Sequence, residues 1–404
     1  MMSFIALGTV TPAWVLWGYG ESFGTSLDGL GLVGNPVGHI GLSDLLSADA
    51  VMGPPGHQIP TLAFAAFQAT FAIIAVALVS GAIADRAKFS TWTVFTVLWA
   101  TIVYFPVAHW VFRLQYADPR GWLDCGATAG RLTFAGGTVL EINCGAAGLA
   151  LALVVGKRLG FRKDPCVRTA SPSSCWALAA VVGVVRSNAG SMLAATRRRR
   201  HRLMNTRRRR RRHDGVARGG TVRDGHATSL GAAPGLVAGL VAITPSCSAV
   251  TPVGAVAIGG IAGSLCAYAV AWKFRYGYDD SLDVVGVHLV GGLVGTIGIG
   301  FFEQARRPPA GIDGLLAREA STNCGVRSSR PSRCFAFVLP ALGLALHRTL
   351  GFRVDRDDGC AASTSPSTET AYDLVAPGRS AESARGPAPA RRAAPRRTCP
   401  LQRT

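Results

Sequence analysis

The stretch 283–302, DVVGVHLVGGLVGTIGIGFF, decides the fold class of this chain. It is apolar and glycine-rich, and it has the length of about 20 residues that a helix needs to cross a bilayer. His288 lies within it and has no metal-ligand partner in the neighbouring sequence. A titratable side chain at that depth is costly, so it indicates a pathway through the protein. The alternative is an imidazole that a hydrogen bond satisfies in the protein core.

The composition of the whole chain also indicates a membrane protein. Of its 404 residues, 49% are hydrophobic and 16% are charged, and the mean hydropathy is +0.29. This is too apolar for an ordinary soluble protein of this length. The N-terminal segment 1–22 lacks a basic start and a convincing cleavage site, so it is interpreted as a membrane span rather than a signal peptide. Apolar runs lie at 3–22, 61–84, 90–112, 135–156, 232–247 (short), 251–272 and 283–302, with a weaker candidate at 334–347.

The cysteines and the motif content argue against several functional classes. The ten cysteines are scattered, with no CxxC pair and no Cys/His cluster, so neither a zinc site nor a disulfide framework is predicted. Cys144 and Cys266 lie in apolar runs and are interpreted as small core residues. No phosphate-binding loop, G-x-S-x-G elbow or dinucleotide fingerprint occurs in a suitable context. We therefore expect no enzymatic activity and no cofactor.

The distribution of Lys and Arg over the short loops predicts the orientation of the chain. Basic residues lie in 85–89, 157–166 and 273–282, whereas the long connection 23–60 contains none. Because basic loops remain on the cytoplasmic side, these three loops are predicted inside and 23–60 outside. This arrangement requires two more spans between 166 and 228, where the sequence supplies no good candidate.

Several motifs, which follow one another in a fixed order, resemble the ammonium transporter (Amt/Mep/Rh) family. They are PTLAFAAFQATFAIIAVALVSGAIADRAKFSTW (60–92), FAGGTVLEIN (134–143), SNAGS (187–191), LVAITPSC (240–247), YDDSLDVVGVHLVGG (278–292), GFRV (351–354) and ETAYDL (369–374). The resemblance covers 1–160 and 222–302 well. It implies an all-α polytopic membrane protein with an eleven-span inverted-repeat fold, incomplete here, and a hydrophobic pore in each subunit of a homotrimer.

The resemblance divides the chain into four segments. Residues 1–165 form an N-terminal transmembrane half without the family's first span, and 166–221 is a disrupted Arg-rich region in place of two spans. Residues 222–347 form the C-terminal transmembrane half with a degraded last span, and 348–404 is a largely disordered cytoplasmic tail. In the family this tail contacts the inner face, which makes a PII-class signalling protein an expected partner.

The resemblance also implies an ammonium recruitment site and a phenyl gate. Phe67 and Phe71 match two stacked phenylalanines of the gate, and their spacing of four places both on one helix face. Core aromatics at helical spacing are the alternative. Phe112 stands where the family often has a tryptophan, whose ring face can hold a cation. Ser191 matches a serine that accepts a hydrogen bond from ammonium, and Phe71 also belongs to the recruitment site. Thr133 replaces an aspartate that supports this site, which disfavours recruitment.

Two residues match the pore of the family. His288 matches the second of two facing histidines, and its neutral imidazole can accept from ammonia on one nitrogen and donate from the other. Glu141 stands at the first histidine position, where some fungal members also carry an acid. A carboxylate there would raise the proton affinity of His288 and could form one end of a proton relay. The alternative is a sequence error or a protonated spectator acid.

The region 166–221 departs furthest from the family pattern. Its arginine runs at 197–200 and 207–212 cannot cross a bilayer, because each central arginine costs about 2.5–3.5 kcal/mol on insertion scales. Since the family-like island SNAGSMLAA (187–195) survives there, we hypothesise a shifted reading frame, in which alanine codons GCG read one base late become arginine codons CGG. A second disturbed stretch covers 303–346. Translation of the gene in all three frames tests this hypothesis.

The leading functional prediction is transport of ammonium or ammonia across the plasma membrane. The departures at Thr133, Glu141 and Ser187 support the alternative of a transport-inactive relative or an ammonium sensor. A third interpretation treats the arginine runs as a patch for nucleic acid or anionic lipid. It is disfavoured because the runs lack aromatic interleaving and a binding fold. The expected partners are therefore ammonium or ammonia, the lipid bilayer and further copies of the chain, and no nucleic acid.

Overall fold

A computed structural model describes residues 2–27, 31–52, 58–84, 86–116, 134–158, 161, 183–191, 229–247, 249–302 and 341–354. These residues are mainly helical, and a short antiparallel ribbon pairs β1 (Val51–Met52) with β2 (Ile59–Pro60). The predictions for Thr133, for the arginine runs, for 303–340 and for the tail after 354 lie outside the described residues.

The N-terminal half contains four helical stretches, of which the first and third are interrupted by a π-helical turn and the fourth begins with a π-helix. α1 packs on α3 and α4, and large aromatic side chains of these elements fill the common core. The elements are α1 (Met2–Ala13), a π-helical turn (Trp14–Gly18), α2 (Tyr19–Phe23), a 3-10 segment (Ile40–Leu46), α3 (Thr61–Ser80), α4 (Phe89–Trp99), a π-helical turn (Ala100–Tyr104), α5 (Phe105–Tyr116), a π-helix (Gly137–Ile142) and α6 (Asn143–Val155).

The C-terminal half is built around one long helix with clear start and stop signals. This helix, called α9, is Pro252–Tyr276, and the Thr251 side chain at its N-cap accepts a hydrogen bond from the Gly254 amide at 3.0 Å. It ends at Gly277, whose left-handed conformation suits glycine. The other elements of this half are α8 (Ser229–Ile243), a π-helix (Val285–Leu289), α10 (Val290–Phe302) and α11 (341–349), and α7 (183–190) precedes them in the region 166–221.

Five helices of the described chain are long and apolar enough to cross a membrane. Each coincides with one of the apolar runs predicted from the sequence. The runs at 3–22 and 232–247 are helical as well, in α1–α2 and in α8. The five helices are Thr61–Ser80, Phe89–Phe112, Gly137–Val155, Pro252–Tyr276 and Val285–Phe302. The predicted all-α membrane architecture is therefore confirmed.

Glycines let the two halves approach each other closely at the centre of the bundle. A Cβ atom on Gly145 of α6 would lie 2.5 Å from the backbone nitrogen of Leu289. A Cβ atom on Gly292 of α10 would lie 3.1 Å from the Cβ of Glu141. Small residues are the usual means by which membrane helices pack, because lipid supplies no hydrophobic drive between them. This packing places the helix that carries Glu141 directly against the helix that carries His288.

The three loops predicted to be cytoplasmic lie together at one end of the bundle. The Arg86 guanidinium donates to the Ser281 hydroxyl at 2.8 Å. The Arg158 guanidinium lies 3.6 Å from the Asp279 carboxylate, and the Arg158 amide donates to the same carboxylate at 2.8 Å. The structure therefore places these loops at one end of the bundle, as the predicted topology requires.

The family-like segment 351–354 lies on the same end of the bundle. The Lys88 amide donates to the carbonyl of Phe352 at 2.9 Å, and the Val354 amide donates to the carbonyl of Arg86 at 3.0 Å. The Arg353 guanidinium donates to the carbonyl of Lys157 at 2.7 Å. This segment thus links the first two of the predicted inner loops.

Candidate functional site

Glu141 and His288 face each other at the centre of the bundle. The His288 Nδ1 lies 2.5 Å from the Glu141 Oε2, and the two side chains are only 13% and 5% exposed. Both residues lie in π-helices, Gly137–Ile142 and Val285–Leu289. π-Helical turns inside helices are rare and occur frequently at functional sites. The structure therefore brings the two predicted pore residues together as a direct pair.

A particular residue fixes the start of each π-helix, a glycine in the first and a capping carboxylate in the second. The first follows Gly136, which has a φ of 97°, a conformation that glycine adopts without strain. At the start of the second, the Asp280 carboxylate accepts hydrogen bonds from the amides of Val284 and Val285 at 3.0 and 2.7 Å. An acidic cap satisfies the free N–H groups of a helix start. Asp280 thereby fixes the position of the segment that carries His288.

The environment of Asp280 disfavours its charged form. Burial, and after it the charge of Asp283, raises the pKa of Asp280 from 3.8 to about 6. The hydrogen bonds from the backbone and the nearby Lys273 ammonium act in the opposite direction. Lys273 donates to the Asp283 carboxylate at 2.5 Å and to the Asp280 carbonyl at 3.0 Å. The loop before the His288 helix is therefore a compact, largely buried ionic cluster.

Phe67, Phe71 and Phe112 form an aromatic cluster beside the start of the π-helix that carries Glu141. The rings of Phe67 and Phe71 meet at 5.0 Å and 70°, and those of Phe71 and Phe112 at 6.1 Å and 87°. Both contacts are edge-to-face, where the family resemblance implied stacked rings for Phe67 and Phe71. Edge-to-face geometry places the positive edge of one ring on the negative face of the next. A Cβ atom on Gly136 would lie 3.2 Å from the Phe71 ring, so this cluster adjoins the start of the Glu141 π-helix.

Ser191 lies near the aromatic cluster at the end of α7. A Cβ atom on the preceding Gly190 would lie 3.1 Å from the Phe67 ring. Ser191 is buried, and its hydroxyl donates to the carbonyl of Ser187 at 2.8 Å. A hydroxyl that donates in this way keeps lone pairs that can accept. The structure thus groups four of the five predicted outer residues, and the fifth, Thr133, is outside the described chain.

Cys144 is a member of the central site that the sequence analysis missed. Ligand atoms of Glu141, Cys144 and His288 all lie within 4.8 Å of one another, although the cysteines are scattered in the sequence. Cys144 follows Glu141 by three residues, and its thiol donates to the Glu141 carbonyl at 3.4 Å. His288 joins them only because α6 packs against the π-helix Val285–Leu289, which no local sequence spacing reveals.

The match to a family model decides which class of protein this is. A sequence model described as the Ammonium Transporter Family matches residues 1–363. The chain belongs to the ammonium transporter family. An ammonium transporter of Mycobacterium bovis is 41% identical over 93% of this chain and 83% of the relative. One of Bacillus subtilis is 37% identical over 80% of this chain and 76% of the relative.

Solved structures of Amt and Mep proteins resemble this one over most of their length. Mep2 of Saccharomyces cerevisiae has a TM-score of 0.75 and 28% identity, over 87% of this chain and 81% of the yeast chain. A protein described as a sensor Amt protein has a TM-score of 0.76 over 88% of this chain and 86% of its own, but at 24% identity it shows the fold alone. These matches confirm a multi-pass membrane protein that transports ammonium, and they do not favour the sensor alternative.

Proposed function

We propose that each subunit conducts ammonium nitrogen along a path that begins at the aromatic cluster and passes between Glu141 and His288. The observation that carries this proposal is the central pair itself, held on two facing π-helices of a membrane bundle. The protein acts in the plasma membrane as a homotrimer with one pore in each subunit. Both of these statements follow the family pattern.

The aromatic cluster and Ser191 serve as the entry of the path. An aromatic face attracts a cation by its quadrupole, with about 0.5–2 kcal/mol depending on desolvation. The Ser191 oxygen can accept a hydrogen bond from the same ion. Phe71 and Phe112 are buried, so an ion that reaches them has already lost part of its water. This arrangement selects a small cation that donates hydrogen bonds.

The central pair handles the neutral form of the substrate. A bare cation is costly in an apolar pore, so ammonium gives up a proton to water on the outside, passes as ammonia and takes up a proton from water on the inside. The Glu141 carboxylate accepts hydrogen bonds, and the His288 imidazole offers one donor and one acceptor. Together they can replace the hydrogen bonds that ammonia loses when it leaves water.

The end of the bundle that carries Arg86, Arg158 and the segment 351–354, called the inner end, is the expected surface for regulation. The segment 351–354 bridges two inner loops there, through the backbone of Lys88 and Arg86 and the carbonyl of Lys157. A PII-class protein that docks at this end would contact loops connected to the transport helices. Co-sedimentation of such a protein with vesicles that contain the full chain tests this part of the proposal.

Flux measurements in vesicles test the proposed path. The purified full chain is reconstituted, an ammonium gradient is imposed, and the internal pH is followed. We expect flux above that of empty vesicles, and its loss in Glu141→Ala and in His288→Ala. Thr70→Ala, at an exposed position of α3, is the matched control and should keep the flux. Normal flux in both central variants would refute the path, and a native mass other than that of three chains would refute the trimer.

A further inference from the structure

We propose that Glu141, Cys144 and His288 form a binding site for a zinc-class divalent cation, and that an ion bound there closes the pore. The three donors are a carboxylate oxygen, a thiol sulfur and an imidazole nitrogen, all within 4.8 Å of one another. This mixture of oxygen, sulfur and nitrogen suits Zn²⁺ and similar ions of borderline softness. The binding part stands by itself, whereas closure of the pore rests on the proposed function.

The geometry of the Glu141–His288 pair needs only a small change to accept the ion. In a tetrahedral site, Zn–N and Zn–O bonds of about 2.0–2.2 Å separate the two donors by roughly 3.3 Å. His288 Nδ1 and Glu141 Oε2 are now 2.5 Å apart, so they must separate by less than about 1 Å. The ion then takes the place of their shared hydrogen. Cys144, three residues after Glu141 in the chain, supplies the third donor, and a fourth position stays open for water.

The charges of the site balance those of a divalent ion. An ionised Glu141 and a Cys144 thiolate together carry two negative charges, which neutralise the cation with a neutral His288. Burying a charge is costly unless it is compensated in this way. As the metal–sulfur bond forms, the S–H bond of Cys144 breaks and its proton leaves to water. The imidazole proton moves to Nε2, which frees Nδ1 to bind the metal.

Close packing holds the three residues in place. The contacts of Gly145 with Leu289, and of Gly292 with Ile142 and Glu141, fix the two helix backbones. The side chains therefore converge without a rearrangement of the helices, which favours binding because little conformational freedom is lost. Cys266 is also buried, and its sulfur lies 3.8 Å from the carbonyl of Val287, but it is not part of the cluster. It is the natural control for a nonspecific thiol effect.

Closure follows from the position of the site. A metal bound to Glu141 and His288 would lie at the point where ammonia is proposed to pass, and it would hold in place the pair that must open for ammonia. It also engages the groups that would exchange hydrogen bonds with ammonia. The expected result is block of the flux by micromolar Zn²⁺ or Co²⁺, stronger than any effect on empty vesicles.

Binding of Co²⁺ to the purified full chain tests the site without reference to transport. Co²⁺ replaces Zn²⁺ and gives a thiolate charge-transfer absorption when cysteine binds it. We expect this absorption in the unmodified chain and in Cys266→Ala, with displacement by Zn²⁺. In Cys144→Ala the affinity for Co²⁺ should fall by about 100-fold or more. Loss of a residue that only orients a metal ligand typically costs about 10- to 100-fold, and loss of a direct ligand should cost at least as much. Cys144→Ser preserves the volume and replaces Cys144→Ala if that variant does not fold.

The outcomes separate this inference from the proposed function. A spectrum that is unchanged in the Cys144 variants, or that is absent in the unmodified chain, overturns the metal site. A Cys144-dependent spectrum in a chain without flux supports the site and refutes only the proposed transport path. Flux that Zn²⁺ blocks in the unmodified chain and in Cys266→Ala, but not in Cys144→Ala, supports both parts. Equal block in all three overturns closure through this site.

Discussion

The inner end of the bundle and its centre both bury ionisable side chains, but they hold them differently. At the inner end, Arg86 donates to the Ser281 hydroxyl and to the carbonyls of Ala82 and Asp279, and it lies 3.7 Å from the Asp279 carboxylate. At the centre, Glu141 and His288 share one short hydrogen bond between two helices. The first arrangement connects loops through many contacts, and the second joins two side chains across a seam.

The difference separates a structural role from a functional one. A buried ion with several fixed partners cannot exchange them without loss of stability, because the remaining charge would be left unpaired. A pair joined by one hydrogen bond can open for a substrate or a metal at lower cost. We therefore expect changes at the inner end to act mainly on stability, and changes at the centre mainly on flux.

The largest effect is expected for Arg86→Ala. It leaves Asp279 buried with less compensation, and removal of one partner of a buried ion pair typically costs about 3–5 kcal/mol. Thermal unfolding of the purified protein in detergent measures this change. Lys88→Ala is the control, since Lys88 joins the inner end through its backbone. A melting temperature that is the same in both variants would contradict the structural role.

The next largest effect concerns the pH dependence of stability and involves Asp280. The pKa of Asp280 is about 6 in the folded protein and 3.8 in the unfolded chain, so the folded protein binds the proton of this carboxyl group more tightly than the unfolded chain does. Stability from this group is therefore complete below pH 4 and is lost as the pH rises through about 6, a change of about 3 kcal/mol. Asp280→Asn should remove this decline, as measured by unfolding at several pH values. A decline of unchanged size in the variant would contradict the assignment.

A bulky residue at the central helix crossing should have a smaller effect on stability and a clear effect on flux. In Gly145→Leu the new side chain meets Leu289, and overpacking of this kind costs about 1–3 kcal/mol. Because the helix that carries His288 is displaced, the variant should lose ammonium flux and Co²⁺ binding together. Gly8→Leu is the matched control, because a Cβ at Gly8 meets nothing within 4 Å. Retention of flux in Gly145→Leu would show that the crossing does not position the path.

The smallest effect is expected at the aromatic entry. Phe112→Trp offers a cation a better ring face, and Phe112→Leu removes the ring. Because cation–π attraction amounts to about 0.5–2 kcal/mol, the two variants should differ by roughly 2- to 30-fold in the ammonium concentration that gives half-maximal flux. Tryptophan should lower that concentration and leucine should raise it. An identical value in both would exclude Phe112 from recruitment.

The sequence predicted much of the fold from local properties alone. Length and apolarity identified the five helices that could span a membrane, and the basic loops that the structure gathers at one end were recognised from Lys and Arg alone. The spacing of four between Phe67 and Phe71 predicted their contact, because helical geometry fixes which residues share a face. These features depend on residues close to one another in the chain, so the sequence contains them directly.

The tertiary structure decided what the sequence could not. The family motifs named Glu141 and His288 as pore residues, but their direct contact joins positions 147 residues apart. Cys144 was interpreted as a small core residue, and its place beside both depends on Gly145, which lets α6 approach the π-helix that carries His288. The edge-to-face angle of the phenylalanines likewise depends on what packs around them. Apolarity selects a helix, but which helix faces meet is determined by packing among distant residues, and local sequence does not encode it.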